Sequence, residues 1–530
     1  MGDRPVCTKS ARSVVRSNNG MIATSQPLAA AAGLQALMKG GNAVDAAVAA
    51  SAVLGVVEPF ATSIGGDAFA IYWDGKEKEL IGLNGSGRSA SRVDAEELKA
   101  KEGFVELPMT GVHTITVPGA VDAWSEMLER YGTMELKELL QPAIHYAREG
   151  FPVSEIIAEQ WKMNQGALET EEAKKVFLID GKPPNAGDIF KNPDLANSLE
   201  LIAKKGRDVF YEGELAEAMC SSMEKLGGFL TVDDFKNHKS DWVDPISTNY
   251  KGYDVYELPP NGQGAMVLEM LNILEGYDMK SLGHNTADYM HLIVEAKKAA
   301  FSDRGKYVAD PAFADLPTKI IISKSYAQER RKKIDMNRAN TMEDWDWKSS
   351  NTVYLSVADQ YGNVISFITS CYWEFASGIV PEGTGIIMQN RGTLFSLEKG
   401  HFNYLEPCKR PLHTIIPAFV MKNGKPWFSF GVMGGDMQPQ GHVQVLLNMI
   451  EFGMNVQEAG EAARVCHTAE GVAVEQAIPW QERLKLIEKG HFIISAFDVF
   501  GGYQGILIDP ETGAFAGGTD DRKDGCAMGY

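Results

Sequence analysis

Two alanine-rich segments near the start of the chain constrain its fold most strongly. The sequences PLAAAAGLQALMK (27–39) and AVDAAVAASAVLGVV (43–57) consist largely of strong helix formers, and Gly40-Gly41 interrupts them. Asn42 can cap the second segment through its side-chain oxygen. Because small side chains allow helices to approach closely, so dense a run of alanine predicts two helices in an interior layer.

Short apolar segments bounded by turn residues predict strands in the rest of the chain. Turn residues at 359–363 and 422–426 separate two pairs of these strands, as in hairpins. A mostly helical stretch covers about 92–345, and a helix is predicted at 440–452. Helix-rich flanks around antiparallel hairpins indicate an α+β fold in which helices cover layered sheets. The predicted strands are 68–73, 79–83, 253–258, 353–358, 364–370, 417–421 and 427–432.

Charge and motif content exclude several classes of function. The formal charge, 51 − 70 = −19, argues against nucleic acid as a partner. Walker A, complete GxGxxG, HExxH, EF-hand and GxSxG patterns are all missing, so no cofactor and no metal is predicted. The six cysteines include no CxxC pair, which favours free buried thiols. No apolar segment has the length and composition of a signal peptide or a membrane span, so we expect a cytoplasmic protein without a membrane partner.

Two small patterns in the last third carry candidate chemistry. Thr352 and Thr369 lie at equal distances from a midpoint between Gln360 and Tyr361, so a symmetric hairpin would place them opposite each other. Gly434-Gly435 lies between a predicted strand and a helix, where two free N–H groups could stabilise an oxyanion. An ordinary threonine pair in a sheet and an ordinary strand-to-helix turn are the alternatives.

A series of ordered motifs adds to these two patterns. With them, the chain resembles the γ-glutamyltranspeptidase family of N-terminal-nucleophile hydrolases along nearly its whole length. The resemblance implies one four-layer αββα sandwich, whereas 530 residues alone would suggest three or four domains. The motifs are GGNAVDA (40–46), GVVEP (55–59), IGG (64–66), VPG (117–119), YGT (131–133), QPA (141–143), NT (351–352), Asp359 with GN (362–363), GIV (378–380), KRPL (409–412) and GG (434–435).

The resemblance also implies a mechanism. Thr352 matches the threonine that cleaves the precursor just before itself, so the Asn351–Thr352 peptide would break. The segments 1–351 and 352–530 would stay associated as one fold. The hydroxyl of Thr352 would then form an acyl-enzyme, with its new α-amino group as base, and release the acyl group to water or an amine. Thr369 matches a second threonine that bonds the nucleophile, and Gly434 and Gly435 match the oxyanion donors.

The substrate-binding positions of the family are changed in this chain. The position of an arginine that binds a carboxylate falls near Ser86, and Arg88 is two residues further on. Two serines are replaced by His413 and Thr414, and an asparagine is replaced by Cys371. His413 can equally be a core histidine.

A charge reversal indicates what kind of substrate fits. An acidic position that binds an ammonium group corresponds to Leu394, while Arg391 is gained nearby. Arg391 favours an anionic amide without an amino group, because guanidinium pairs with carboxylate in a bidentate manner; a salt bridge to another side chain is the alternative. The pattern resembles an oxamate amidohydrolase-like branch of the family.

We therefore predict a self-processing threonine amidohydrolase or acyltransferase that acts on a small anionic amide. One alternative keeps the mechanism and assigns γ-glutamyl transfer and glutathione hydrolysis. Another is an uncleaved, non-catalytic binding protein. The sequence leaves open whether the chain forms a homo-oligomer.

Overall fold

The strands of the protein form two large sheets and two small ones. The computed structural model describes residues 10–340, 351–496 and 498–530. Its strands are β1 Val15–Ser17, β2 Met21–Thr24, β3 Asp67–Asp74, β4 Glu79–Gly85, β5 Phe151–Pro152, β6 Ile189–Phe190, β7 Asp241–Val243, β8 Ile246–Tyr250, β9 Tyr253–Glu257, β10 Asn351–Ala358, β11 Val364–Tyr372, β12 Ala418–Lys422, β13 Lys425–Val432, β14 Val465–His467, β15 Val472–Val474, β16 Ile493–Ile494, β17 Tyr503–Ile508, β18 Phe515–Thr519 and β19 Cys526–Gly529.

Helices connect many of these strands and cover the sheets. They are α1 Pro27–Met38, α2 Ala43–Val57, α3 Ala95–Glu102, α4 Ala120–Tyr131, α5 Leu136–Leu139, α6 Gln141–Glu149, α7 Glu155–Asn164, α8 Glu171–Phe177, α9 Pro193–Lys205, α10 Asp208–Tyr211, α11 Glu214–Lys225, α12 Val232–Lys236, α13 Gly264–Leu274, α14 Met279–Leu282, α15 Ala287–Tyr307, α16 Thr318–Ile321, α17 Lys324–Arg331, α18 Met437–Ile450, α19 Val456–Glu461 and α20 Trp480–Glu488.

The two seven-stranded sheets pack face to face. The first, which we call the nucleophile sheet, has the order β19-β2-β10-β11-β3-β4-β7, and the second has the order β1-β18-β17-β13-β12-β9-β8. Neighbouring strands in both sheets are antiparallel. A buried apolar layer that includes Phe69, Tyr354 and Phe419 lies between them. Helices cover the outer face of each sheet, so the predicted four-layer αββα sandwich is confirmed.

Of the two predicted alanine-rich helices, α2 is interior, whereas α1 has an exposed face that includes Ala31, Gln35 and Met38. Every residue of α2 is buried, and the capping box of Asn42 and Asp45 begins this helix. The helices α1 and α2 approach closely, because a β-carbon on Gly33 would lie 3.1 Å from the carbonyl oxygen of Ala46. A side chain at this position would therefore force the two helices apart.

Most predicted strands are confirmed, and the differences are local. The helix predicted at 440–452 begins earlier, at Met437, directly after the glycine turn. The mostly helical middle of the chain also contributes β5 to β9, and β7 to β9 extend the edges of the large sheets. The nucleophile sheet takes strands from both sides of the Asn351–Thr352 peptide.

Two further expectations concern thiols and membranes. The five described cysteines are all unpaired; Cys408 is exposed, which differs from the expected burial, and Cys7 lies outside the described residues. Among the described helices, none has both the length and the apolar character needed to cross a membrane.

The carboxylate of Asp45 connects α2 to the segment that follows α4. It accepts hydrogen bonds from the N–H groups of Asn42 (2.8 Å), Thr133 (3.0 Å) and Met134 (3.1 Å). We predict that Asp45→Ala lowers the free energy of unfolding by about 3 kcal/mol, because it leaves buried donors without partners. Urea denaturation monitored by circular dichroism measures this change.

The exposed cap Asp94 provides the control for that measurement. Its carboxylate also accepts two backbone bonds, from Glu96 and Glu97, but water can replace them. Asp94→Ala should cost about 1 kcal/mol. Equal losses in the two variants would contradict the structural role assigned to Asp45.

Candidate active site

Thr352 lies at the start of β10 with its side chain fully buried. Its hydroxyl donates a hydrogen bond of 2.7 Å to the carbonyl oxygen of Asn351, the residue before it. Its N–H donates to the side-chain oxygen of Asn351 at 2.9 Å. The hydroxyl is therefore held against the peptide carbonyl that it is predicted to attack.

The pairing of β10 with β11 corrects the predicted partner of Thr352. Val353 pairs with Thr369 and Asn351 pairs with Tyr372, with a bulge between them, so the expectation that Thr352 faces Thr369 is wrong. The Thr352 hydroxyl lies 3.3 Å from the hydroxyl of Ser370 instead.

The position of the turn between β10 and β11 explains why the register differs from the prediction. The loop 359–363 is centred on Tyr361, half a position beyond the assumed midpoint, and this moves the register by one residue. A shift of one residue moves a side chain to the other face of a sheet. Thr369 accordingly faces the helical layer, where its hydroxyl bonds the carbonyl of Asp67 (3.0 Å) and the hydroxyl of Thr62 (3.1 Å).

Ser370 is a candidate functional residue that the sequence prediction missed. Its hydroxyl donates to the Asn351 carbonyl oxygen at 2.9 Å. It accepts from the N–H of Tyr372 at 2.8 Å and from Nη2 of Arg391 at 3.1 Å. Two hydrogen bonds therefore connect the Arg391 guanidinium to the peptide bond before Thr352. Centring the hairpin on its own turn would have identified Ser370.

Arg391 is buried without a carboxylate partner among the described residues. Its Nη1 donates to the hydroxyl of Thr414 at 2.7 Å, its guanidinium lies 4.7 Å from the ring centre of Tyr372, and its Nε has no hydrogen-bond partner. Burial lowers the pKa of Arg391 to about 10, although the nearby Asp67 carboxylate opposes this change. A buried guanidinium without a carboxylate partner is suited to binding an anion.

The glycine turn directly precedes α18, whose first turn contacts Thr352. Gly434 and Gly435 have φ angles of 109° and 56°, which glycine adopts without strain. Within the described chain neither of their N–H groups donates a hydrogen bond, so both stay available to a ligand. Gln438, at the start of α18, places its Nε2 3.4 Å from the Thr352 hydroxyl, and its side-chain oxygen accepts from the N–H of Ile416. Gln438 was also absent from the predicted site.

Buried polar side chains form hydrogen bonds with the glycine turn and with the segment next to it. Nε2 of Gln263 donates to the carbonyls of Thr414 (2.7 Å) and Gly435 (3.0 Å). Its oxygen accepts from Arg304, which forms a buried ion pair with Asp436. These contacts fix the orientation of the peptide that follows Gly435.

Two of the predicted substrate-binding residues have other partners. Nε2 of His413 lies 3.1 Å from the carboxylate of Asp67, and burial lowers the pKa of this histidine to about 3, so it is neutral. Arg88 pairs with Asp241 at 3.6 Å and with the carbonyl of Lys239 at 3.3 Å. Neither forms a hydrogen bond with Thr352, Ser370 or Arg391 in the described chain.

Cys371 differs from Ser370 in the face of β11 that it occupies. It belongs to the core between the nucleophile sheet and its helices, whereas Ser370 faces Thr352. Burial raises the pKa of the Cys371 thiol, which keeps it protonated. Of the five residues predicted to bind substrate, Arg391 and Thr414 are hydrogen-bonded to each other. Arg391 also bonds Ser370, which contacts Thr352.

One histidine cluster has the composition of a metal site. The possible ligand atoms of His291, Glu295 and His491 all lie within 4.8 Å of one another. The two histidine nitrogens are 2.8 Å apart, a hydrogen-bond distance, whereas two nitrogens on tetrahedral zinc would be about 3.3 Å apart. The Glu295 carboxylate also accepts from Lys298 at 2.8 Å. This geometry favours a hydrogen-bonded histidine pair over a metal centre.

Comparisons with known proteins identify the family that this chain resembles. The family described as Gamma-glutamyltranspeptidase matches residues 29–530. The chain is 41% identical over 522 residues to the glutathione hydrolase-like YwrD proenzyme of Bacillus subtilis, covering 96% of this chain and 98% of that protein. It is 31% identical to the oxamate amidohydrolase proenzyme of Klebsiella pneumoniae subsp. pneumoniae, covering 97% and 99%. The crystal structure of cephalosporin acylase from Bacillus halodurans superposes with a TM-score of 0.93 at 44% identity, covering 100% and 99%.

The neutral state of His413 predicts a pH dependence of stability. Its folded pKa of about 3 lies below the ordinary histidine value of 6.5, so between these values the unfolded chain binds the additional proton and stability rises with pH. His413→Asn should reduce the slope of the unfolding free energy against pH by about 1 kcal/mol per unit between pH 4 and 6. Urea denaturation across this range measures the slope, and exposed His145→Asn is the control. Identical slopes in wild type and His413→Asn would contradict the prediction.

Proposed function

The chain belongs to the gamma-glutamyltranspeptidase family and is an N-terminal-nucleophile amidohydrolase, and from that premise we propose that Thr352 is its nucleophile. The observation that carries the proposal is the 2.7 Å contact between the Thr352 hydroxyl and the Asn351 carbonyl oxygen. A hydroxyl in this position is adjacent to the peptide that it would attack.

Self-processing supplies the catalytic form of the enzyme. The hydroxyl oxygen attacks the carbonyl carbon of Asn351, the bond from that carbon to the Thr352 nitrogen breaks, and the nitrogen takes up the proton. Water then hydrolyses the resulting ester. The products are the segment 1–351, with a new carboxylate, and the segment 352–530, with a free amino group, and they stay associated within one fold.

Substrate cleavage repeats the same chemistry on an external amide. A chain-terminal α-amino group ordinarily has a pKa of about 8, so that of Thr352 can accept the hydroxyl proton and pass it to the leaving amine. The N–H groups of Gly434 and Gly435 stabilise the oxyanion, and water or an amine releases the acyl group. We propose that hydrolysis predominates over transfer to a specific acceptor.

We propose that the acyl group of the substrate carries a negative charge. The buried Arg391, which lacks a carboxylate partner in the described chain, supports this assignment, and Thr414 orients it. Leu394 offers no charge to an ammonium group, which disfavours γ-glutamyl compounds. The names of similar proteins include oxamate amidohydrolase and cephalosporin acylase as well as glutathione hydrolase, so the names leave both substrate classes open and the charge of Arg391 carries the assignment.

We also propose that the enzyme works in the cytoplasm. The five described cysteines form no disulfide, as is usual in a reducing compartment. Fractionation of the source cells tests this location.

The chain composition of the purified protein tests self-processing. Denaturing mass spectrometry of the wild type should find a fragment of 530 − 351 = 179 residues that begins at Thr352. Thr352→Ala removes the attacking oxygen, so the variant should stay a single chain and hydrolyse no amide. Thr352→Ser keeps a hydroxyl and should retain cleavage. An active wild type that consists of one intact chain would refute self-processing, and an uncleaved, inactive one would favour the binding protein.

The kcat/KM values for three anilides distinguish the candidate substrates. We expect kcat/KM for glutaryl anilide to exceed that for the uncharged valeryl anilide by about 10- to 100-fold, because the charge-assisted bond to Arg391 is worth about 1.5–3 kcal/mol. We expect γ-glutamyl anilide to be slower than glutaryl anilide, since its ammonium group meets no carboxylate at Leu394. Faster turnover of γ-glutamyl anilide would assign glutathione-type chemistry instead.

A further inference from the structure

We propose that Arg391 and Ser370 form a charged relay that stabilises the oxyanion of self-cleavage, so that this reaction and substrate turnover use different oxyanion donors. The inference rests on the proposed self-processing at Thr352. It assigns Arg391 a role before any substrate binds.

The hydrogen bonds around Ser370 determine where its proton points. A hydroxyl has one proton and two acceptor lone pairs. The N–H of Tyr372 and Nη2 of Arg391 both donate to the Ser370 oxygen and occupy its lone pairs. The Thr352 hydroxyl is a more distant neighbour at 3.3 Å, and its own proton has the closer acceptor, the Asn351 carbonyl oxygen at 2.7 Å. The Ser370 proton is therefore directed to the Asn351 carbonyl oxygen at 2.9 Å.

The charge of Arg391 strengthens this bond at the moment of reaction. When the Thr352 oxygen attacks, negative charge develops on the Asn351 carbonyl oxygen, and the Thr352 proton leaves for the nitrogen. The Ser370 proton then remains as the donor to that oxygen. A cation bonded to the Ser370 oxygen polarises the hydroxyl, and burial of Arg391 reduces screening by water.

The glycine turn is not placed to perform this step. Among the described hydrogen bonds, those to the Asn351 carbonyl come from Thr352 and Ser370, and none comes from Gly434 or Gly435. The turn thus stays free for the oxyanion of an external substrate. Cleavage converts the Asn351 carbonyl into the carboxylate of a separate chain, and this carboxylate must move away from Ser370 and Arg391 before a substrate can bind there.

Cleavage can be measured from time zero by synthesising the chain in a cell-free translation system without substrate. The fraction of 179-residue product against time gives a first-order rate constant. We expect Ser370→Ala to slow cleavage about 100-fold, as loss of an oxyanion donor does. Arg391→Met should slow it about 10- to 100-fold, and Arg391→Lys should recover part of the rate because it restores the charge.

Ser366→Ala provides the matched control. Ser366 lies on the same strand and is buried, but its hydroxyl bonds the hydroxyl of Tyr354 at 2.7 Å. This variant should cleave at the wild-type rate. The pair Ser370→Thr and Ser370→Val keeps side-chain shape constant: the threonine variant should cleave and the valine variant should be slow. This comparison separates loss of the donor from a folding defect.

The outcomes distinguish this inference from the proposed function. If the wild type cleaves while Ser370→Val or Arg391→Met cleaves at the same rate, the relay is wrong and the nucleophile assignment stands. If the wild type does not cleave at all, the proposed function fails first and the relay fails with it.

Discussion

The register of the β10–β11 pairing is the constraint on which the whole site depends. It places Thr352 and Ser370 on one face of the nucleophile sheet and Thr369 and Cys371 on the other. A slip of one residue would exchange these faces and remove both hydroxyls from the site. The register is itself fixed by the core, because β10 and β11 lie in the middle of a sheet buried on both sides. Large apolar side chains that alternate along these strands fit the gap between sheets on one face and the helices on the other.

A buried cation next to the nucleophile has a cost that the fold must offset. Arg391 has its hydroxyl partners Thr414 and Ser370 and the face of Tyr372, but none of these carries a negative charge. The Asp67 carboxylate is nearby, but no ion pair joins it to Arg391 among the described residues. A buried charge without a bonded counter-ion is destabilising unless an anion joins it. The same group can serve two anions in sequence: first the oxyanion of the chain's own peptide, then the carboxylate of a substrate. Under the proposed relay, this double use would offset the cost of burying the cation.

The sequence predicted the fold more completely than the site. Apolar periodicity and turn residues located the strands and the alanine-rich helices, because these signals are local. Thr352, Arg391 and the glycine turn were identified through motifs. Ser370 was missed because an assumed symmetry of two threonines was preferred over the centre of the turn at Tyr361. The partners of Arg88 and His413, and the approach of Gln438, depend on packing between distant segments, which no local pattern encodes.

The contacts behind the glycine turn explain why both segments must be present for the site to exist. Gln263 and Arg304 precede the Asn351–Thr352 peptide, whereas Gly435 and Asp436 follow it. The buried ion pair of Arg304 with Asp436 therefore joins the two segments directly behind the glycine turn. Separating the segments would break this buried ion pair, which is strongly unfavourable. The proposed cleavage at Thr352 would therefore free an amino group without releasing the turn, because the contacts that orient the turn lie away from the peptide that would break.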